Sequence, residues 1–126
     1  MIYIDDLIGI PYKKGGNDKQ GFDCYGFVKE VCKRAGKILP DLNTENLENV
    51  DISVQGFDFI KSNLEKIDKP SKECDLVLIK DTKGIMSHIG VYLDGGYIAH
   101  CNKSGCHLDK LSRIEFLIGS TYRWLK

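Results

Sequence analysis

The sequence has no net charge, no membrane-length apolar run and no even set of cysteines, and each lack removes a class of function. Over 126 residues, 18 Lys/Arg balance 18 Asp/Glu, so there is no overall basic surface for nucleic acid, and none is expected as a partner. No apolar run approaches the roughly 20 residues of a membrane span. The start, Met1-Ile2-Tyr3-Ile4-Asp5-Asp6, has neither the basic region nor the apolar stretch of a secretory signal. Synthesis in the cytoplasm without a signal peptide is therefore expected, with a carrier or another route if the chain leaves the cell. Five cysteines at irregular spacing do not make a complete disulfide framework. They imply a reducing compartment and at least one free thiol. There is no internal repeat, low-complexity tract or linker, and the length suits one domain over residues 1–126. Gly21, Gly26 and Gly36 are too far apart for a phosphate loop and do not follow a strand.

Apolar content of 42% and charged content of 29% are ordinary for a globular chain. The charge is uneven: residues 10–40 carry seven Lys/Arg against three Asp/Glu, and residues 41–75 carry nine acidic against four basic. A solvated helix face accounts for the basic third.

The chain is organised around Gly21-Phe22-Asp23-Cys24-Tyr25-Gly26-Phe27-Val28. Cys24, Phe27, Val28, Val31, Cys32 and Ala35 fall on one helical face. Asp23 suits the N-cap, and Gly36 a stop after Lys33 and Arg34. Before it, Ile4, Leu7 and Ile8 predict a short opening helix ended by Gly9 and Pro11, and residues 11–18 read as loop. After it, residues 37–52 read as polar loop. Ser53 is placed to cap a second helix with Val54, Phe57, Ile60, Leu64 and Ile67 along one side. The composition then changes to strands: residues 75–80, 85–93 and 97–102, with Asp94-Gly95-Gly96 joining the last two as a hairpin. Shorter strands are expected near residues 113–117 and 121–125. Helices first and antiparallel strands second make an α+β plan with about five strands.

Cys24 stands where a glycine-rich loop becomes a helix. The unpaired N–H groups and partial positive charge of a helix start favour a thiolate and can hold an oxyanion. A thiol nucleophile needs a base. Alternation puts His88, Gly90 and Tyr92 on one strand face, and Gly90 leaves room there for the cysteine helix. Three-residue glycine loops are common in hairpins, so Asp94-Gly95-Gly96 is read as one: Leu93 faces Tyr97 and Gly90 faces His100, which brings His88 and His100 together. His100 then orients the imidazole of His88, with Asn102 in reserve. A two-residue loop would separate the histidines. His107 reads as a surface loop residue. A zinc set from Cys74, Cys101, Cys106 and His107 lacks a standard ligand spacing, so no metal is expected.

Gly9-Ile10-Pro11-Tyr12, Gly15-Gly16, Gly21 to Val28, Asp75-Leu76-Val77-Leu78, Ser87-His88-Ile89-Gly90-Val91-Tyr92-Leu93 and Tyr97-Ile98-Ala99-His100 together resemble the NlpC-type cell-wall peptidases. These are papain-like cysteine peptidases that cut peptidoglycan stem peptides, commonly after γ-D-glutamate. The resemblance implies a papain-like fold, no cofactor, Cys24 as nucleophile, His88 as base and His100 as the orienting residue. It further implies that Tyr12 lines the site and that Asp23 and Ser87 help hold the substrate's end. The compact form, with its Pro-Tyr-x-x-Gly-Gly loop near the N-terminus and no wall-binding module, is most similar to the phage and prophage tail-associated branch. That implies tail proteins as partners and action at the cell wall. Three positions depart from the family pattern: Cys74 stands where glycine is usual, Tyr25 follows the cysteine, and Cys101 follows His100. Two other readings stay open. One is an amidase or acyltransferase on another amide or ester; the other is a tail or assembly component whose site is unused.

Overall fold

Helix α1 (Cys24–Arg34) begins and ends as its sequence dictates. The computed structural model describes residues 2–40 and 63–125, and α1 lies near the middle of the first stretch. Asp23 has extended backbone, and its Oδ1 accepts the Gly26 N–H at 2.6 Å. That satisfies one of the orphan donors at the helix start. At the other end Gly36 N–H donates to Lys33 O and Lys37 N–H to Cys32 O, at 3.0 and 2.9 Å. This is the paired-bond stop of a glycine-terminated helix. Phe27, Val28, Val31 and Cys32 are buried as predicted, each apolar side chain contributing roughly 1.5–3 kcal/mol. Tyr25 is buried too, off the predicted face, with its hydroxyl donating to Pro40 O at 2.5 Å.

The segment before α1 holds the helix start in place. A small hairpin of β1 (Asn17–Asp18) and β2 (Gly21–Phe22) replaces part of the expected loop. Lys13 N–H donates to Phe22 O at 2.9 Å, Phe22 N–H to Pro11 O at 3.1 Å and Asp23 N–H to Gly16 O at 3.0 Å. A Cβ on Gly26 would collide with the Gly16 carbonyl oxygen. The glycine two residues after the cysteine is thus set by the approach of this loop.

The remaining strands are β3 (Leu64–Ile67), β4 (Leu76–Lys80), β5 (Met86–Leu93), β6 (Tyr97–Asn102), β7 (Gly105–Lys110) and β8 (Ile118–Trp124). They form one antiparallel sheet in the order β3-β8-β4-β5-β6-β7. One face carries Leu76, Leu78, Ile89, Val91, Leu93 and Ala99 into a common core with α1. The other face carries Val77, Ile79 and Ile98. Leu111 and Ile114 of the short helix α2 (Leu111–Ile114) cover it, with Leu117 of a following 3-10 turn. Buried Asp75 ties β4 to β8: Arg123 Nε reaches its Oδ1 at 2.8 Å and Nη2 its Oδ2 at 2.9 Å.

Four expectations are corrected. Residues 4–8 form turns, not a helix, because Gly9 N–H donates to Cys106 O and Cys106 N–H to Ile10 O, both at 2.8 Å. The segment is thereby committed to the edge of β7. Of the second helix, residues 53–62 lie outside the described residues, while Leu64 and Ile67 belong to β3, opposite Trp124 and Thr121. Pairing with β8 wins over the helical spacing at those two positions. Residues 113–117 are helical turn rather than strand, with Ile114 and Leu117 capping the second sheet face. Strands β3 and β7 were not anticipated and the strand expected at residues 113–117 is absent, so the sheet has six strands rather than about five.

Candidate active site

The β5–β6 hairpin has the three-residue loop, with Leu93 opposite Tyr97 and Gly90 opposite His100. That register brings the two histidines together: His88 Nε2 lies 2.8 Å from His100 Nδ1. The line continues to a residue the sequence reading missed, for His100 Nε2 lies 2.6 Å from Asp109 Oδ2 on β7. His107, expected in a surface loop, is on β7 as well. Its ring centroid is 4.3 Å from that of His100, its Nε2 is 3.1 Å from Asp109 Oδ2, and its Nδ1 faces Gly105 O at 2.9 Å. The signal for Asp109 was the pattern Asn102-Lys103-Ser104-Gly105, a tight turn, followed by His107 and Asp109 two apart on one strand face. Asn102 is spent in that turn, its Oδ1 accepting Ser104 N–H at 2.9 Å. His100, not Asn102, is therefore the partner of His88.

These contacts fix tautomers. An ionised carboxylate only accepts, so His100 carries a proton on Nε2 and donates it to Asp109. Neutral His100 then presents a lone pair at Nδ1, which requires the proton of His88 on Nε2. His88 is left with its lone pair on Nδ1, as a general base needs. Burial, and then the His100 and His107 rings, press the His88 pKa down to about 3, so the ring is neutral at neutral pH. Burial also lowers His100, against the raising effect of Asp109. Burial alone would raise Asp109, but the His100 hydrogen bond and the two imidazoles hold it below its ordinary value.

Cys24 is half-buried at the start of α1. The backbone N–H groups of Ile89, Tyr25 and Cys24 itself favour its thiolate, the first from the residue after His88. Burial and the Asp23 carboxylate outweigh them and push the thiol up to about 11. The expected stabilised thiolate is thus corrected to a resting thiol. Among the described residues the hydrogen bond of His88 runs to His100 and none joins it to Cys24. Such contacts often tighten only when substrate binds. The room at Gly90 is not filled by α1. A Cβ there would meet Ile98 Cγ2 at 2.9 Å, Ala99 O at 3.2 Å and His100 Cβ at 3.2 Å, while α1 packs on the opposite, Ile89 face. Gly90 makes room for His100.

Tyr12 is half-buried against the core and bridges Phe22 in parallel. Asp23 is buried, and its Oδ2 has no hydrogen-bond partner among the described residues. Ser87 is half-buried beside His88, where the β4–β5 register shifts. The zinc set weighed from sequence does not gather. His100, His107 and Asp109 do offer ligand atoms within 4.8 Å of one another.

A model of the NlpC/P60 family matches residues 9–116. The chain belongs to the NlpC/P60 family. It is 27% identical over 112 residues to the γ-D-glutamyl-L-lysine dipeptidyl-peptidase of Bacillus subtilis (strain 168), which covers 86% of this chain and 33% of that protein. It is 28% identical over 106 residues to the probable peptidoglycan endopeptidase LytE of the same strain, covering 84% of this chain and 27% of that one. The chain thus spans about a third or less of these curated relatives. Among solved structures, an NlpC/P60 family protein from Bacillus cereus ATCC 10987 superposes with a TM-score of 0.64 at 22% identity, covering 95% of this chain and 37% of the other. The NlpC/P60 fold is the papain-like α+β arrangement expected from the sequence.

Proposed function

We propose that this NlpC/P60 chain is a cysteine endopeptidase that hydrolyses peptidoglycan stem peptides at the γ-D-glutamyl-diaminoacid bond. The observation that carries the reading is the hydrogen-bonded line His88–His100–Asp109, together with a cysteine at a helix N-terminus whose thiol meets the backbone N–H of Ile89, the residue after His88. The names of the relatives, a γ-D-glutamyl-L-lysine dipeptidyl-peptidase and a peptidoglycan endopeptidase, support the substrate class.

In this mechanism Cys24 Sγ attacks the amide carbonyl carbon as His88 Nδ1 takes the thiol proton. With the thiol near 11 and the imidazole near 3, proton transfer accompanies attack rather than preceding it. The N–H groups at the start of α1, with Tyr12 beside them, hold the oxyanion. His88 then protonates the leaving amine, and water displaces the acyl group from sulphur with His88 as base. His100 is the orienting residue, and Asp109 holds its tautomer. Asp23 and Ser87 hold the substrate's end.

Digestion of purified peptidoglycan, followed by mass spectrometry, tests the reaction. New free amines on the diaminoacid, absent with Cys24→Ala, are expected. An active thiol without them would favour an amidase or acyltransferase. Delivery with a phage or prophage tail completes the proposal, supported by the Pro11-Tyr12…Gly15-Gly16 loop. Peptides of this chain in purified tail particles are the expected result, and tail genes should flank its own.

A further inference from the structure

We propose that four of the five cysteines form two disulfides, Cys32–Cys74 and Cys101–Cys106, once the protein leaves a reducing compartment, so that Cys24 remains the single thiol. The cysteines are irregular in sequence but paired in space. Cys101 and Cys106 stand directly opposite each other on β6 and β7. The Cys106 N–H donates to Ile10 O and its carbonyl accepts from Gly9 N–H, so it exchanges no ladder bond with Cys101. Opposed residues of this kind have Cα atoms roughly 4.5 Å apart, within the roughly 4.4–6.8 Å that a disulfide spans. Each thiol perturbs the ionisation of the other, Cys101 being pushed up and Cys106 down, while the hydrogen bond of Cys101 Sγ runs to Phe22 O at 3.3 Å.

A separate observation carries the other pair. Cys74 has φ +74°, the only non-glycine residue with positive φ among those described. An L side chain avoids that conformation and glycine adopts it freely. What glycine cannot do is bring a thiol into the core cluster that Cys74 shares with buried Cys32, in the last turns of α1, where the two thiols perturb each other's ionisation.

Each bond releases two protons and two electrons to a low-molecular-weight disulfide such as oxidised glutathione. One cysteine attacks it and expels a small thiol; its partner then displaces the second small thiol and closes the protein disulfide. The two bonds would brace the two halves of the site. Cys32–Cys74 ties α1, which begins at Cys24, to the entrance of β4. Cys101–Cys106 ties the strand of His100 to the strand of Asp109.

The full chain is unfolded with reductant and refolded into a buffer of reduced and oxidised glutathione, so that burial does not limit access. It is then trapped with iodoacetamide under denaturing conditions and digested without reduction. Alkylatable thiols are expected to fall from five to one, Cys24, with peptides joined as Cys32–Cys74 and Cys101–Cys106. The variant Cys74→Gly should free only Cys32 and keep the other bond. The oxidised wild type should unfold at a higher urea midpoint than the same protein with reductant. Five alkylated thiols, a bond that includes Cys24, or glutathione adducts in place of both pairs would overturn the proposal.

Discussion

Asp109 touches neither the thiol nor the imidazole that serves it, yet the geometry makes activity depend on it. The variant to test is Asp109→Ala. In the wild type His100 gives its Nε2 proton to a carboxylate 2.6 Å away, a charge-assisted bond worth about 1.5–3 kcal/mol. Without Asp109 nothing holds that tautomer. His100 can then donate from Nδ1 to His88, which moves the His88 proton to Nδ1 and removes the lone pair the thiol needs. Losing the bias should lower kcat by roughly 10- to 100-fold, at about 1.4 kcal/mol per tenfold, with a smaller change in KM. Asp109→Asn, whose amide oxygen still accepts, should recover part of the loss. The assay is release of free amines from a γ-D-glutamyl-diaminoacid peptide. Ring 15N shifts of His88 and His100 give a readout that a merely structural role would not move. An unchanged kcat in a folded Asp109→Ala protein, or a wild-type His88 protonated on Nδ1, would refute the tautomer reasoning.

Alkylation of Cys24 should rise steadily between pH 7 and 10, because the thiol titrates near 11; a plateau by pH 6 would contradict the resting thiol. Asp23→Asn keeps an N-cap oxygen for Gly26 but removes the charge that raises Cys24, so the alkylation profile should move to lower pH. The folded His88 pKa near 3 lies below its free value of 6.5, so its contribution to stability is complete above about pH 6.5 and is lost as pH falls toward 3. That loss is at most about 5 kcal/mol, and urea midpoints across that range check it. Arg123→Ala leaves the buried Asp75 carboxylate without its ion pair and should lower the midpoint of urea unfolding; Asp75→Asn in the same chain should restore part of it.

The parts of the fold that were legible in the sequence are those whose cause is local. Asp23, Gly36 and the face from Phe27 to Cys32 fix α1 by capping and periodicity alone. The hairpin register followed from the glycine loop, and with it the meeting of His88 and His100. What stayed hidden depends on partners distant in sequence. The opening turns answer to Cys106, nearly a hundred residues on. Leu64 and Ile67 carry helical spacing but pair with β8. Strand β7 is half-exposed, and only its neighbour β6 makes it a strand. The missed strand concealed the missed residue, because Asp109 has no meaning in a loop and a clear one opposite His100.

The electrostatics of the thiol could not be read from its position either, because opposing effects meet there. Three N–H groups favour the thiolate; burial and the capping carboxylate oppose it, and they prevail. The residue that starts the helix is therefore also one that keeps its nucleophile protonated. An aspartate does both because capping needs only one oxygen, Oδ1, while the charge is shared with Oδ2, which is buried and unpartnered. A serine cap would satisfy the same N–H without the charge. Retaining the carboxylate makes sense where a cation is to be met: an amine held close to Asp23 would offset the charge that opposes ionisation of Cys24. In that case binding and activation of the thiol share one residue, and a substrate without the amine should meet a less reactive sulphur.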